Sequence, residues 1–205
     1  VQVFEGFTGS VEALALSPDG RFLVSGGLDI WVWDVMIGEP LRTLEGHSSD
    51  VVSLSVSADG TTLISGSSDQ NVILWDIASG NQLMSFGGHS GGVRTVFMSE
   101  DGRFALSGSG NIWGRPGELF LWSLENGECV HSFEGHAGSV NAACMTADNR
   151  YVLSGSSDRT VKLWDSTSGE CVRVFQGHAD SVETLAVSGV DRQPASISAA
   201  TIAIR

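Results

Sequence analysis

Two groups of side chains in this 205-residue chain have the make-up of a nucleophilic triad. His47, Ser65 and Asp69 are followed by Trp75; His136, Ser154, Asp158 and Trp164 repeat the group at the same spacing. In a hydrolase the acid orients the imidazole and the imidazole takes the serine proton. Such a site is needed once, whereas this group recurs, so its recurrence argues for architecture and no catalytic residue is assigned. Five histidines at repeat spacing and three scattered cysteines do not make a zinc site. No GxxxxGKS loop is present to cradle phosphate. The expectation is a protein without metal or cofactor.

The elements that position these residues follow from self-similarity. Trp33-Asp34, Trp75-Asp76, Trp122-Ser123 and Trp164-Asp165 recur, and Gly46-His47, Gly88-His89, Gly135-His136 and Gly177-His178 recur in register with them. Inside a unit, Val51 to Val56 alternates apolar and small residues, as a half-buried strand should. Asp59-Gly60 follows and supplies a tight hairpin; "SPDGR", "SEDGR" and "TADNR" are its counterparts, with Asn149 in the place of glycine. Leu63 to Gly66, Val72 to Trp75 and Gln82 to Phe86 complete four short strands, each too short to be stable alone. Innermost strands are expected to begin at Val11, Val51, Val93, Val140 and Val182.

Units of about 42 residues with four strands and paired Gly-His and Trp-Asp marks resemble the WD-repeat family of β-propellers. The resemblance covers essentially the whole chain. It implies an all-β fold of five four-stranded blades, about 8–47, 48–89, 90–136, 137–178 and 179–205, in one domain. Residues 1–7 read as a fifth outer strand, with Phe7 where the histidine should stand. The ring would close when Val1 to Glu5 pairs beside Thr201 to Arg205; the other arrangement is a five-blade fragment of a seven-bladed ring. The resemblance also implies that His47, Ser65, Asp69 and Trp75, and again His136, Ser154, Asp158 and Trp164, form buried hydrogen-bonded tetrads. His89, Ser107 and Trp122 lack a clear Asp, and Ser25, Asp29 and Trp33 lack the histidine. His131 lies outside the motif and reads as a surface residue.

Charge narrows the partners. Eleven Lys and Arg against 24 Asp and Glu give a net charge of −13. No two basic residues are adjacent, so a nucleic-acid groove is not expected. No apolar run reaches the roughly 18 residues of a membrane span. Cys129, Cys144 and Cys171 suggest free thiols in a reducing compartment, the cytoplasm by default. The chain starts at Val1 with no signal peptide following, which reads as a processed or internal boundary.

In the family, the loop after Gly-His and the turn between the second and third strands share one rim, the top face. Residues flanking the innermost valines point there: Glu12, Asp50, Val52, Arg94, Asn141 and Glu183. Glu12, Asp50 and Glu183 would form an acidic arc around a closed ring, suited to a basic peptide or protein segment. Trp113 and Arg115, in the expanded third unit, add an aromatic and a guanidinium of the kind that anchors interfaces. The leading expectation is thus a non-catalytic interaction scaffold, the sensor or docking part of a larger signalling protein, monomeric if the ring closes. The alternative is a cation-binding or enzymatic site at the channel mouth, built from Glu12, Glu183 and Asp50.

Overall fold

The computed structural model describes residues 9–110 and 116–187. Among them sixteen strands form four antiparallel four-stranded sheets, each made of consecutive strands. The first sheet is β1 (Ala13–Leu16), β2 (Phe22–Gly26), β3 (Ile30–Asp34) and β4 (Pro40–Leu44). The second is β5 (Val51–Val56), β6 (Thr62–Ser67), β7 (Val72–Asp76) and β8 (Gln82–Phe86). The third is β9 (Val93–Met98), β10 (Phe104–Ser109), β11 (Leu119–Ser123) and β12 (Cys129–Phe133). The fourth is β13 (Val140–Met145), β14 (Tyr151–Ser156), β15 (Val161–Asp165) and β16 (Cys171–Phe175).

Local chemistry explains the hairpins. In the first-to-second-strand turn of the second sheet, Ser57 Oγ donates to Asp59 Oδ1 at 2.6 Å, and the Thr61 amide donates to the same oxygen at 3.0 Å. Gly60 then takes φ 72°, and Asn149 takes φ 58° at the matching position of the fourth sheet, as a residue tolerant of the left-handed region can. The register slips by one residue at each motif tryptophan, between Leu74 and Trp75 for example, so every outermost strand is offset alike.

The apolar core lies between successive sheets rather than inside one. Val24, Ile30, Val32 and Leu44 of the first sheet pack against Val51, Leu63, Ile73 and Trp75 of the second. Ile64, Val72, Leu74 and Phe86 meet Val93, Val96, Met98 and Trp122, and Leu106, Leu119 and Phe133 meet Val140, Met145, Val152 and Trp164. Close approach depends on the strand glycines: a Cβ on Gly108 would stand 2.7 Å from Val140 Cγ1.

The two ends of this row differ from its middle. Leu14 and Leu16 on β1 are 63% and 57% exposed, whereas their counterparts on β9, Val96 and Met98, are 6% and 5% exposed. Residues 179–187 carry no strand, contrary to the innermost strand expected to begin at Val182. They still pack on the fourth sheet: the Val182 amide donates to the Ser156 carbonyl at 3.0 Å, its side chain is fully buried, and Leu185 and Val187 lie against the cluster of Cys144, Leu153 and Leu163. The expected pairing of Val1–Glu5 with Thr201–Arg205, Phe7, and the pair Trp113 and Arg115 lie outside the described residues.

Candidate functional site

The two triad-like groups each collapse into one hydrogen-bonded chain. Trp75 Nε1–H donates to Ser65 Oγ at 2.8 Å, Ser65 Oγ lies 2.8 Å from His47 Nε2, and His47 Nδ1 lies 2.9 Å from Asp69 Oδ2. In the fourth sheet the matching distances are 2.8 Å from Trp164 to Ser154, 2.7 Å from Ser154 to His136 and 2.8 Å from His136 to Asp158. An ionised carboxylate only accepts, so Nδ1 carries the imidazole proton and the serine hydroxyl donates to Nε2. The serine is buried beneath the indole and already holds both partners. This geometry leaves no hydroxyl aimed at a substrate and no open face beside it.

The third sheet contains a member that the sequence reading missed. Trp122 donates to Ser107 at 2.7 Å, Ser107 Oγ lies 2.6 Å from His89 Nε2, and the acid at Nδ1 is Glu118 at 3.2 Å. Glu118 also accepts from the Ser90 amide, the Ser90 hydroxyl and Ser109 Oγ at 2.9, 2.7 and 3.2 Å. It sits immediately before β11, two positions later in its sheet than Asp69 or Asp158, and the extra methylene makes up the reach. The available signal was an acid just ahead of the third strand, masked by the expanded loop before it. In the first sheet Trp33 donates to Ser25 at 2.9 Å, while Asp29 is exposed on a turn two residues shorter.

Burial and hydrogen bonding set the charges. Burial lowers the pKa of His89 and His136 against the pull of their acids, keeping both imidazoles neutral. Burial alone would raise Asp158, but bonds from Thr160, His136 and the Ala137 amide bring it down to about 2. Glu118 is lowered in the same way, its desolvation outweighed by Ser90, His89 and Ser109. Each carboxylate also receives the amide just after its histidine: Ser48, Ser90 and Ala137 donate at 2.8, 2.9 and 3.0 Å. The networks therefore fix the loop that leads to the next innermost strand.

At the rim, Glu12, Arg94 and Glu183 are exposed, while Asp50, Val52 and Asn141 are half-buried. Backbone bonds hold these positions, with the Glu12 amide donating to Gly26 and the Ser68 amide to the Asp50 carbonyl, at 2.8 and 2.9 Å. Asn141 Nδ2 donates to the Val182 carbonyl at 3.2 Å and to Glu183 Oε1 at 3.3 Å, tying that acid to the neighbouring sheet. Among the described residues no group of three or more His, Cys, Asp or Glu could hold a metal ion, so Glu12, Asp50 and Glu183 are not gathered into a cation site.

His131 has a packing role that its reading as a surface residue did not include. It is half-buried, its Nε2 bonds the Thr167 carbonyl at 3.0 Å, and its ring lies 5.9 Å from Phe133, so it fastens β12 to the β15–β16 turn of the next sheet. The three thiols are unpaired, Cys129 and Cys171 exposed and Cys144 buried with its pKa raised to about 11 by that burial. No helix among the described residues is long and apolar enough to cross a membrane.

A family model described as WD domain, G-beta repeat, matches residues 1–34, 38–76, 80–114 and 127–165. No curated protein matches the chain.

Proposed function

The chain belongs to the WD-repeat family, and from that premise we propose that it is a non-catalytic platform for a protein or basic peptide segment. WD-repeat domains generally act as scaffolds that bind other proteins, and they are typically not enzymes. The observation that carries the reading is the saturation of the serine–histidine–acid groups. Each serine is shared between an imidazole and an indole, three times over, which leaves the variable rim as the surface free to recognise something.

Exposed Glu12 and Glu183, with Asp50 beside the second innermost strand, favour a basic segment over phosphate-bearing partners such as nucleic acid or an anionic membrane. Val52, Arg94 and Asn141 would line the same rim, and Trp113 and Arg115 would extend it from the third unit. In this reading the chain is a five-bladed ring whose fifth blade is residues 179–205 with 1–7 as its outer strand. The bare Leu14–Leu16 face supports that arrangement, because it is the face each later sheet rests on its predecessor. Unpaired thiols suit a reducing compartment such as the cytoplasm.

Anisotropy titration of a labelled oligolysine peptide tests the rim. Replacing Glu12, Asp50 and Glu183 together by their amides should weaken binding by about tenfold or more, with a steep salt dependence in the parent protein. Equal affinity for parent and variant would remove the proposal.

A further inference from the structure

Among the described residues, exposed apolar side chains are concentrated in the first sheet, and one pair among them is not accounted for by the lack of a described sheet against the β1 face. Met36 and Ile37, in the turn between β3 and β4, are 83% and 67% exposed. The other sheets provide the control. Their matching residues are Ala78 and Ser79, Glu125 and Asn126, and Thr167 and Ser168, and all six are exposed although a preceding sheet is in place. A sheet in front of the first would therefore still leave Met36 and Ile37 in water. The turn gains nothing from them locally either. Its backbone is fixed by Asp34 Oδ1, which accepts from the Met36 and Ile37 amides at 2.9 and 3.1 Å. Asp165 does the same for Thr167 and Ser168 at 2.9 and 3.0 Å, so polar side chains serve this turn equally well.

We propose that the Met36–Ile37 turn is a second docking surface for a protein segment that presents apolar side chains flanked by lysine or arginine. By strand direction, this turn and the β1–β2 turn share the rim opposite the Gly-His loops, and the Val35 amide joins them by donating to the Arg21 carbonyl at 2.9 Å. Two exposed apolar side chains on a rigidly held turn lose little conformational freedom on binding. Their charged surroundings select the partner. Asp19, Asp34 and Glu39 stand in these two turns against Arg21, whose guanidinium lies over the Phe22 ring at 4.8 Å. That acidic excess, on a chain of net charge −13, favours a basic amphipathic segment and disfavours an anionic bilayer.

The test compares the parent protein with a Met36→Thr/Ile37→Ser variant, which installs the residues the fourth sheet carries at this turn. The probe is a labelled helical peptide of leucine and lysine, followed by anisotropy, with a leucine–glutamate peptide as control. The variant should keep the parent melting temperature and bind the lysine peptide about tenfold more weakly or worse, and the glutamate peptide should bind neither protein. The amide variants of Glu12, Asp50 and Glu183 should leave this peptide's affinity unchanged, which separates failure here from failure at the other rim. Equal affinity of parent and variant overturns the proposal. So does a concentration-dependent mass in sedimentation that the substitutions abolish, which would make a second copy the occupant. Binding to phosphatidylcholine vesicles that the substitutions abolish would assign the turn to a lipid surface and overturn it as well.

Discussion

The third and fourth sheets reach the same hydrogen-bonded arrangement from different residues. In the fourth, Asp158 comes from the turn between the second and third strands, its side chain is 11% exposed, and Thr160 supports it from behind at 2.6 Å. In the third, Glu118 comes from the threshold of β11, is 28% exposed, and is supported by Ser90 and Ser109. What the two have in common is a point in space: a carboxylate oxygen about where the imidazole Nδ1–H and the following amide can both reach it. The chain position of the acid is free to move by two residues when its length compensates. The difference lies in solvent, since the glutamate network is wetter than the aspartate one.

That difference should be largest when the acid is removed. Asp158→Ala leaves the His136 Nδ1–H and the Ala137 amide without their acceptor in a nearly dry site, and should cost about 2–5 kcal/mol in urea unfolding, the penalty of two unsatisfied donors. Glu118→Ala should cost less, about 1–3 kcal/mol, because water can enter beside its more exposed carboxylate. Equal losses would mean that exposure does not separate the two sheets.

Acid should act on both networks in two stages. His89 and His136 have lowered folded pKa values, so the folded state binds fewer protons than the unfolded chain, whose histidines titrate at about 6.5. The stability they contribute is present above that value and declines as pH falls below it towards the folded pKa values. Asp158 follows at lower pH: its contribution is present above the ordinary aspartate range and is lost as pH falls towards about 2. Melting temperature should therefore drop between about pH 7 and pH 5. His89→Gln and His136→Gln should each flatten that slope. A slope unchanged in both variants would show that the imidazoles do not carry the first stage.

The strands and their grouping were legible because the marks that carry them are backbone-level and periodic. Trp75 and Trp164 fill equivalent positions between sheets, and the Asp-Gly or Asp-Asn turns impose hairpins wherever they occur. Glu118 was not legible, because a longer loop before it displaced the acid from the spacing by which Asp69 and Asp158 are found. The contact made by His131 was hidden for a related reason. Its residue type and its place on an outer strand suggest surface, and only the arrival of the neighbouring turn at Thr167 gives it a partner. Met36 and Ile37 were overlooked because a lone apolar pair in a turn has no period to betray it; their significance comes from comparison with Thr167 and Ser168 in space.

The finest test of the shared point in space is to change an acid's length without removing its charge. Glu118→Asp pulls the carboxylate back by one methylene, away from His89 Nδ1 at 3.2 Å and from the Ser90 amide at 2.9 Å. The site is open enough for a water to bridge the gap, so the loss should be about 1 kcal/mol, smaller than for the alanine. Asp158→Glu asks the opposite question, since the longer side chain must fit where Thr160 already packs against the carboxylate. Crowding in that drier pocket should cost about 1–3 kcal/mol. If instead the third sheet suffers more from shortening than the fourth from lengthening, then chain position governs these networks after all, and the glutamate is a fixed requirement of its loop rather than one of two interchangeable solutions.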